Sequence, residues 1–390
     1  MESAEYVKVP DDAGALILKQ SRRLFGSVDT VLFDCDGVLI DTRESYDRAI
    51  VKTIEFLFSR LLNVEIGEGL VSRENIYLLR STGGFNNDTD TVYILSLWIF
   101  AGLDRATADL MLDLDGEPRA GENPRDLLVR LGSRVSQRSG YLKRVTDISP
   151  PSLERVVALA MKSTRRQVLS VEDLARVLGE IVEEAGLKDS FEAFERVIGK
   201  PGRYGEGLLE TVFSDLYYGP ENVRRIFGRG PYFDLGPGLY LNEKINIRRE
   251  TLERLSELLG QRIGIVSGRD RVSTEIVLGD LMRFFNRDAC VFLADEQRRV
   301  GEVVKKPSPY GIVKAVEGVG GSSCSLYVGN SAEDLFMARG AERYGVKTLF
   351  MAVYGLAPDR ERTRDFFISL RSDAISHSPD SVLKLLEVFR

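Results

Sequence analysis

Five short runs of apolar residues, rich in Val, Ile and Phe, stand out along the chain and predict the strands of a buried sheet. Each run is continuously apolar rather than alternating with polar residues. Continuous apolarity is typical of strands that are buried on both faces of a parallel sheet. The runs are Thr30–Phe33, Ile263–Val266, Cys290–Leu293, Leu326–Val328 and Thr348–Val353.

Apolar residues at helical spacing separate the later runs. Leu252, Leu255 and Leu259 precede the second run at intervals of three to four residues, and Ile312 and Val316 precede the fourth in the same way. Alternation of strand and helix predicts an α/β fold with a doubly wound parallel sheet, as in Rossmann-like proteins.

The first two runs are separated by more than 200 residues, far too many for a simple crossover. We therefore expect a separate inserted unit, whose first helix is predicted by the apolar stripe Tyr46, Ile50, Ile54, Leu57 and Leu61, with Asp41 or Thr42 as its N-cap. The predicted organisation is a core of residues 25–43 and 239–390, a helical cap of residues 44–103 and 201–238, and a charged, mostly helical insertion of residues 104–200 within the cap.

Composition narrows the class of protein. With 43% hydrophobic and 29% charged residues, the chain has the balance of a soluble globular protein. Its formal charge of -6 gives no electrostatic reason to expect nucleic acid as a partner. The beginning of the sequence is polar, no apolar run is long enough for a membrane span, and the three cysteines are widely spaced. These features predict a cytoplasmic protein and leave its oligomeric state open.

The single histidine excludes several mechanisms. Ser-His-Asp catalysis, Cys-His catalysis and any His-rich metal site would all depend on His377, which lies in a predicted turn before the last helix. Acid–base chemistry must therefore rest on carboxylates, lysine, tyrosine or a metal.

Two carboxylates, Asp34 and Asp36, directly follow the first apolar run and precede Gly37. The carboxyl ends of parallel strands form the edge where ligands bind in open α/β sheets. A spacing of two residues in an extended chain points both side chains the same way. One acid can then attack a phosphorus atom while the other handles the proton of the leaving group. Their mutual repulsion requires a metal or a proton in compensation.

Three further polar segments follow the other runs. Ser267 and Gly268 form a turn that can cradle an anion, and the lysine pair Lys305 and Lys306 precedes Pro307. Asn330 and Asp334 follow the fourth run with oxygen atoms that suit Mg²⁺. Each segment alone is common in ordinary turns, but their succession at the ends of predicted strands is much more specific.

On these residues the sequence resembles the haloacid dehalogenase (HAD) superfamily. FDCDGV is like its first motif, VSG its second, KKPSP its third and VGNSAED its fourth. The resemblance covers residues 28–41 and roughly 239–390. The expected position of the cap, after the first motif, is similar to that of the subfamily IA branch. SYDRAIVKT and GGFNND further resemble an archaeal-type subgroup of this branch, whereas residues 104–200 match no pattern of the family.

The resemblance implies a role for each of these residues. Asp34 is expected to be the nucleophile, and Asp36 the acid and base, with the backbone carbonyl of Asp36 on Mg²⁺. Ser267 and Gly268 are expected to hold a phosphoryl oxygen. Lys306, rather than Lys305, is expected to neutralise the nucleophile and the phosphate. Asp334 is expected on or near the metal.

One position departs from the family's pattern. Its fourth motif usually reads Gly-Asp, and here it reads Gly329-Asn330. An asparagine keeps an oxygen ligand but loses a full charge, so Asn330 predicts weaker metal binding unless Glu333 or Asp334 compensates.

The sequence thus predicts a Mg²⁺-dependent phosphohydrolase for a small phosphorylated metabolite. Asn86, Asn87 and Asp88 of the cap are expected to hold hydroxyl or amine groups of this substrate, with cap closure excluding water. Two alternatives stay open. One is a phosphomutase, whose cap would protect the aspartyl-phosphate from water. The other is a non-catalytic binding or regulatory protein, which Asn330 and the unmatched insertion suggest.

Overall fold

The computed structural model describes residues 5–10, 12–67, 69–85, 87–112, 114, 119, 121–139, 148–165, 168–300 and 304–389. The chain divides into two compact units, Met1–Thr42 with Asn242–Arg390, and Arg43–Leu241. We call them the sheet unit and the helical unit.

The secondary-structure elements are numbered along the chain. The strands are β1 (Tyr6–Val9), β2 (Asp12–Leu18), β3 (Thr30–Phe33), β4 (Ile40–Asp41), β5 (Lys244–Ile245), β6 (Ile263–Ser267), β7 (Cys290–Phe292), β8 (Ser325–Gly329), β9 (Thr348–Val353) and β10 (Ala374–Ser376). The helices are α1 (Tyr46–Leu62), α2 (Arg73–Ser81), α3 (Asp88–Phe100), α4 (Arg105–Ala108), α5 (Pro124–Ser139), α6 (Leu153–Thr164), α7 (Val171–Glu184), α8 (Lys188–Ile198), α9 (Leu208–Phe227), α10 (Arg249–Leu259), α11 (Arg271–Leu278), α12 (Leu293–Val300), α13 (Tyr310–Gly318), α14 (Ala332–Ala341), α15 (Arg360–Ser369) and α16 (Ser381–Phe389).

The sheet unit is built on an eight-stranded sheet in the order β1-β2-β10-β9-β8-β3-β6-β7. The strands from β10 to β7 are parallel, and β2 joins them antiparallel, followed by β1. The predicted α/β fold with a doubly wound parallel sheet is confirmed, and the five apolar runs form β3, β6, β7, β8 and β9. Leu293 is the exception, because it begins α12 instead of ending β7.

Helices cover both faces of this sheet. Val31 and Phe33 of β3 pack into one core with Leu252 of α10 and Leu385 of α16. Leu32, which points to the opposite face, packs into a second core, whose helical members include Ile312, Leu335 and Phe367. Burial on both faces is the reason why these strands have continuous apolar sequences.

The helical unit contains α1 to α9. Four aromatic rings form a contiguous cluster in its interior, contributed by Phe58 of α1, Phe100 of α3, and Phe191 and Phe194 of α8. Helix α3 is buried on all sides, which agrees with its almost uninterrupted apolar sequence. Helix α8, which belongs to residues 104–200, therefore shares a core with α1 and α3.

The predicted start of the first helix was wrong. Helix α1 begins at Tyr46 with Ser45 in the N-cap position. Asp41 instead lies in β4, where it pairs with Lys244 of β5. The two chain segments that connect the sheet unit with the helical unit thus form a small antiparallel ladder. Among the helices that the structure describes, none is long and apolar enough to cross a membrane.

Candidate active site

The parallel strands β6, β3 and β8 are neighbours, so their carboxyl ends lie at one edge of the sheet. Asp34 directly follows β3, Ser267 ends β6, and Asn330 directly follows β8. The backbone N–H of Asp34 donates a 2.9 Å hydrogen bond to the carbonyl of Val328, which ties the first segment to the fourth. The fold therefore brings these predicted site residues to the same edge.

Asp34 is a buried carboxylate beside a buried ammonium group. The side chain of Asp34 is 7% exposed and that of Lys306 is 8% exposed, and Lys306 Nζ lies 3.0 Å from Asp34 Oδ1. Burial raises the pKa of Asp34, Lys306 lowers it, and Asp334 raises it again, with a net upward shift. A hydrogen bond from Ser267 further stabilises the charged form.

Asp334 anchors this lysine. Lys306 donates a 2.7 Å hydrogen bond to Asp334 Oδ1, which also accepts a 3.2 Å bond from the Tyr327 hydroxyl. Asp334 Oδ2 accepts the backbone N–H groups of Asn330 and Ser331, both at 3.0 Å. Each oxygen of Asp334 therefore accepts two donors. The predicted place of Asp334 on or near the metal stays a prediction. We call Asp34, Lys306 and Asp334 the Lys306 group.

Asp36 belongs to a second arrangement of the same kind. Arg269 Nη1 donates a 2.9 Å hydrogen bond to Asp36 Oδ1, and Arg269 Nη2 donates one of 2.9 Å to Glu243 Oε2. The side chains of Arg269 and Glu243 are 0% exposed, whereas that of Asp36 is 36% exposed. Despite this opening, burial raises the pKa of Asp36 to about 7 and outweighs the opposite effect of Arg269. We call Asp36, Arg269 and Glu243 the Arg269 group.

Neither Arg269 nor Glu243 was predicted from the sequence. Arg269 directly follows the VSG motif, so its position beside the predicted anion turn was an available signal. Glu243 comes from the connector before β5, where nothing local distinguishes it from other acids.

The turn after β6 can receive an anion. Ser267 is fully buried, and Gly268 is exposed. A Cβ built on Gly268 would meet no described atom within 4 Å, so space is open at this backbone position. Backbone N–H groups at such a turn, followed by the start of α11, suit a phosphoryl oxygen.

The oxygen atoms available to a cation at this edge of the sheet belong to a carboxylate, a backbone carbonyl and an amide. No cluster of three His, Cys, Asp or Glu side chains suited to a metal occurs in the part of the chain that the structure describes. Asp34, the backbone carbonyl of Asp36 and the amide of Asn330 offer the kinds of oxygen that Mg²⁺ prefers. When all side chains are ionised, the Lys306 group and the Arg269 group each carry one excess negative charge. A divalent cation fits this residue set because it would balance both.

Of the three cap residues predicted to bind substrate, Asn87 and Asp88 lie at the start of α3 in the helical unit. The side chain of Asn87 caps α3 by accepting the Thr89 N–H at 3.2 Å. Asp88 forms a 2.6 Å ion pair with Arg80. Asn86 lies outside the described residues. The predicted substrate contacts of all three therefore stay predictions.

Comparison with known proteins gives a fold relationship. No family model matches the chain, and no curated protein matches it. An X-ray structure of a Northeast Structural Genomics Consortium target is similar, with a TM-score of 0.61 and 14% identity over 92% of this chain and 98% of that chain. A phosphatase from Thermococcus thioreducens has a TM-score of 0.40 and 23% identity, covering 83% of this chain and 92% of its own. L-2-haloacid dehalogenase from Xanthobacter autotrophicus has a TM-score of 0.33 and 13% identity, covering 92% and 98%. The first likeness supports the α/β fold, and function is argued from the site itself.

Proposed function

We propose that this chain is a Mg²⁺-dependent phosphohydrolase of the HAD type, which cleaves a small phosphomonoester through an aspartyl-phosphate on Asp34. The observation that carries the proposal is the Lys306 group. A carboxylate at the ligand edge of the sheet lies 3.0 Å from a buried ammonium, which a second buried carboxylate holds in place.

Asp34 suits nucleophilic attack because the Lys306 ammonium, 3.0 Å away, opposes the rise in pKa that burial causes. Lys306 favours the ionised form and can also neutralise an incoming phosphoryl oxygen. Ser267 and the backbone N–H groups that follow it can bind the remaining oxygens. In the first step, a carboxylate oxygen of Asp34 bonds to phosphorus while the bond from phosphorus to the ester oxygen breaks.

Asp36 suits the proton transfers of both steps. With a pKa of about 7, it can give a proton to the leaving oxygen and afterwards take one from water. That water attacks phosphorus, so the products are orthophosphate and the free Asp34 carboxylate. The proton balance also favours phosphate esters over haloacids, since a halide leaves without a proton and needs no acid at position 36.

Magnesium would be held by Asp34, the backbone carbonyl of Asp36 and Asn330. When bound, it supplies positive charge that stabilises the phosphoryl oxygens. The excess negative charge of the ionised Lys306 group supports this part of the proposal.

Phosphate release from a panel of phosphorylated metabolites in the presence of Mg²⁺ tests the proposal. We expect turnover of at least one small phosphomonoester, and a loss of several orders of magnitude in Asp34→Asn. Asp365→Asn, which removes the same charge from an exposed surface position, is the matched control. Undiminished turnover in Asp34→Asn, or no phosphate release from any ester, would overturn the proposal. Transfer of phosphate between positions of one sugar without release would indicate a phosphomutase.

A further inference from the structure

Arg269 is a fully buried arginine that interacts with two acids. Its guanidinium lies 2.9 Å from Asp36 and 2.9 Å from Glu243, and neither Arg269 nor Glu243 has any exposed side-chain surface. Buried ion groups of this kind contribute little net stability, because desolvation offsets most of their attraction. Folding alone therefore gives a weak reason for this arrangement at the ligand edge of the sheet.

The Arg269 group has the same construction as the Lys306 group. In each, an acid of the Asp34-Cys35-Asp36 segment (the DxD segment) contacts a buried cation, and a second buried acid holds that cation. In the Lys306 group the cation serves the proposed nucleophile. By position, the cation of the Arg269 group serves the proposed acid and base.

We propose that Arg269 and Glu243 are positioning residues for Asp36, an inference that rests on the proposed function. Glu243 fixes the guanidinium, and the guanidinium holds Oδ1 of Asp36. The second oxygen of Asp36 is thereby directed to the oxygen of the leaving group. Arginine suits this task because its planar fork presents two nitrogens in fixed directions, one for each carboxylate. Lysine keeps the positive charge, but its single ammonium group lacks the two nitrogens in fixed directions.

This role has a kinetic signature that general structural damage lacks. The ratio kcat/KM reports the steps up to departure of the leaving group, and only a basic leaving group needs a proton there. An alkyl phosphate releases a basic alkoxide, whereas a nitrophenyl phosphate releases a stable phenolate. Misplacing Asp36 should therefore lower kcat/KM for the alkyl ester far more than for the aryl ester. The ratio of the two is independent of the fraction of protein that is folded.

The experiment compares Arg269→Lys with the wild type on one alkyl and one nitrophenyl phosphate, with Mg²⁺ present. We expect kcat/KM to fall about 100-fold for the alkyl ester, within the range of general acid catalysis, and less than about 5-fold for the aryl ester. Asp36 must also take a proton from water in the second step, so the variant should hydrolyse the aspartyl-phosphate more slowly. For the aryl ester, kcat and KM should therefore fall together, and phenolate should be released in an initial burst.

Two further variants test the pair. Glu243→Ala should show the same selective loss of kcat/KM for the alkyl ester. Glu243→Gln can still accept a hydrogen bond from Arg269, so its loss should be smaller. Arg262→Lys is the matched control. Arg262 precedes β6 at the opposite edge of the sheet, where it pairs with Asp29 at 3.2 Å, so its replacement should leave the alkyl-to-aryl ratio unchanged.

The possible failures are distinguishable. If the wild type hydrolyses neither these esters nor any of the metabolite panel, the proposed function fails and this inference falls with it. The wild type may instead be active while Arg269→Lys and Glu243→Ala lower kcat/KM by the same factor for both esters, or leave it unchanged for both. Either result refutes the positioning role alone.

Discussion

Gly37 lies so close to Asn330 that a Cβ at position 37 would come within 2.0 Å of Asn330 Nδ2. Gly37 also has a positive φ of 74°, which side chains rarely adopt. The turn after the DxD segment and the proposed metal-ligating amide therefore constrain each other. Only glycine satisfies the backbone angle and leaves room for Asn330.

Replacing Gly37 with alanine tests this contact. We expect a stability loss of about 1–3 kcal/mol from the backbone angle and the clash, and a loss of phosphatase activity because Asn330 must move. Thermal unfolding and phosphate release measure the two effects. Gly345→Ala is the matched control, since Gly345 has a φ of 76° but no atom within 4 Å of the added Cβ among the described residues. Equal activity losses in both variants would show that the contact with Asn330 is irrelevant.

Asn330→Asp should strengthen metal binding. It adds a negative charge to a residue set that already carries an excess, so the Mg²⁺ concentration needed for half-maximal activity should fall by at least about tenfold. A Mg²⁺ titration of phosphate release measures this shift. Asn286→Asp adds the same charge near the amino end of β6, where the Asn286 N–H bonds to the Ile263 carbonyl. An identical Mg²⁺ dependence in all three proteins would argue against Asn330 as a ligand.

Lys306→Met should lower both the phosphatase activity and the free energy of unfolding. It leaves two buried carboxylates, Asp34 and Asp334, without the cation between them, at a cost of about 3–5 kcal/mol. We expect phosphate release to fall by at least about 100-fold. Lys305→Met changes the adjacent, exposed lysine and should have little effect on either measurement. A similar loss in the two variants would contradict the assignment of Lys306.

The apolar runs β3, β6, β7, β8 and β9 were predictable because strands that are buried on both faces have continuously apolar sequences. β1, β2 and β10 were not predicted. β1 includes the exposed Lys8 within YVKV, and β10 has only three residues, so neither forms a distinct apolar run. β1 pairs with β2, and β10 lies between β2 and β9, and no local pattern indicates these pairings.

In the candidate site, too, the residues marked by local sequence were predicted and those that depend on distant contacts were not. Asp34, Ser267 and Asn330 were found because each stands at the end of a predicted strand, where position alone implies a shared edge. Glu243 was not found, because it reaches Arg269 from a connector 26 residues away. The hydrogen bonds of Asp334 likewise appear only when Lys306 and the loop after β8 are placed together.

Glu210 in the helical unit should make stability depend on pH. Burial raises its pKa to about 7, from a usual value of 4.5, against hydrogen bonds from Thr89, Gly202 and Ser214 that favour the charged form. The folded state thus binds a proton more tightly than the unfolded state. The stability from this protonated carboxyl is fully present below pH 4.5 and is lost as pH rises through about 7.

Glu210→Gln mimics the protonated carboxyl at every pH. The variant should therefore be more stable than the wild type at pH 8, by at most about 3 kcal/mol, and should differ little from it at pH 5. Urea unfolding of both proteins at the two pH values measures the difference. If the difference in unfolding free energy were the same at pH 5 and pH 8, Glu210 would not titrate between them. A variant less stable at pH 8 would mean that the charged carboxylate is the favoured form in the folded helical unit.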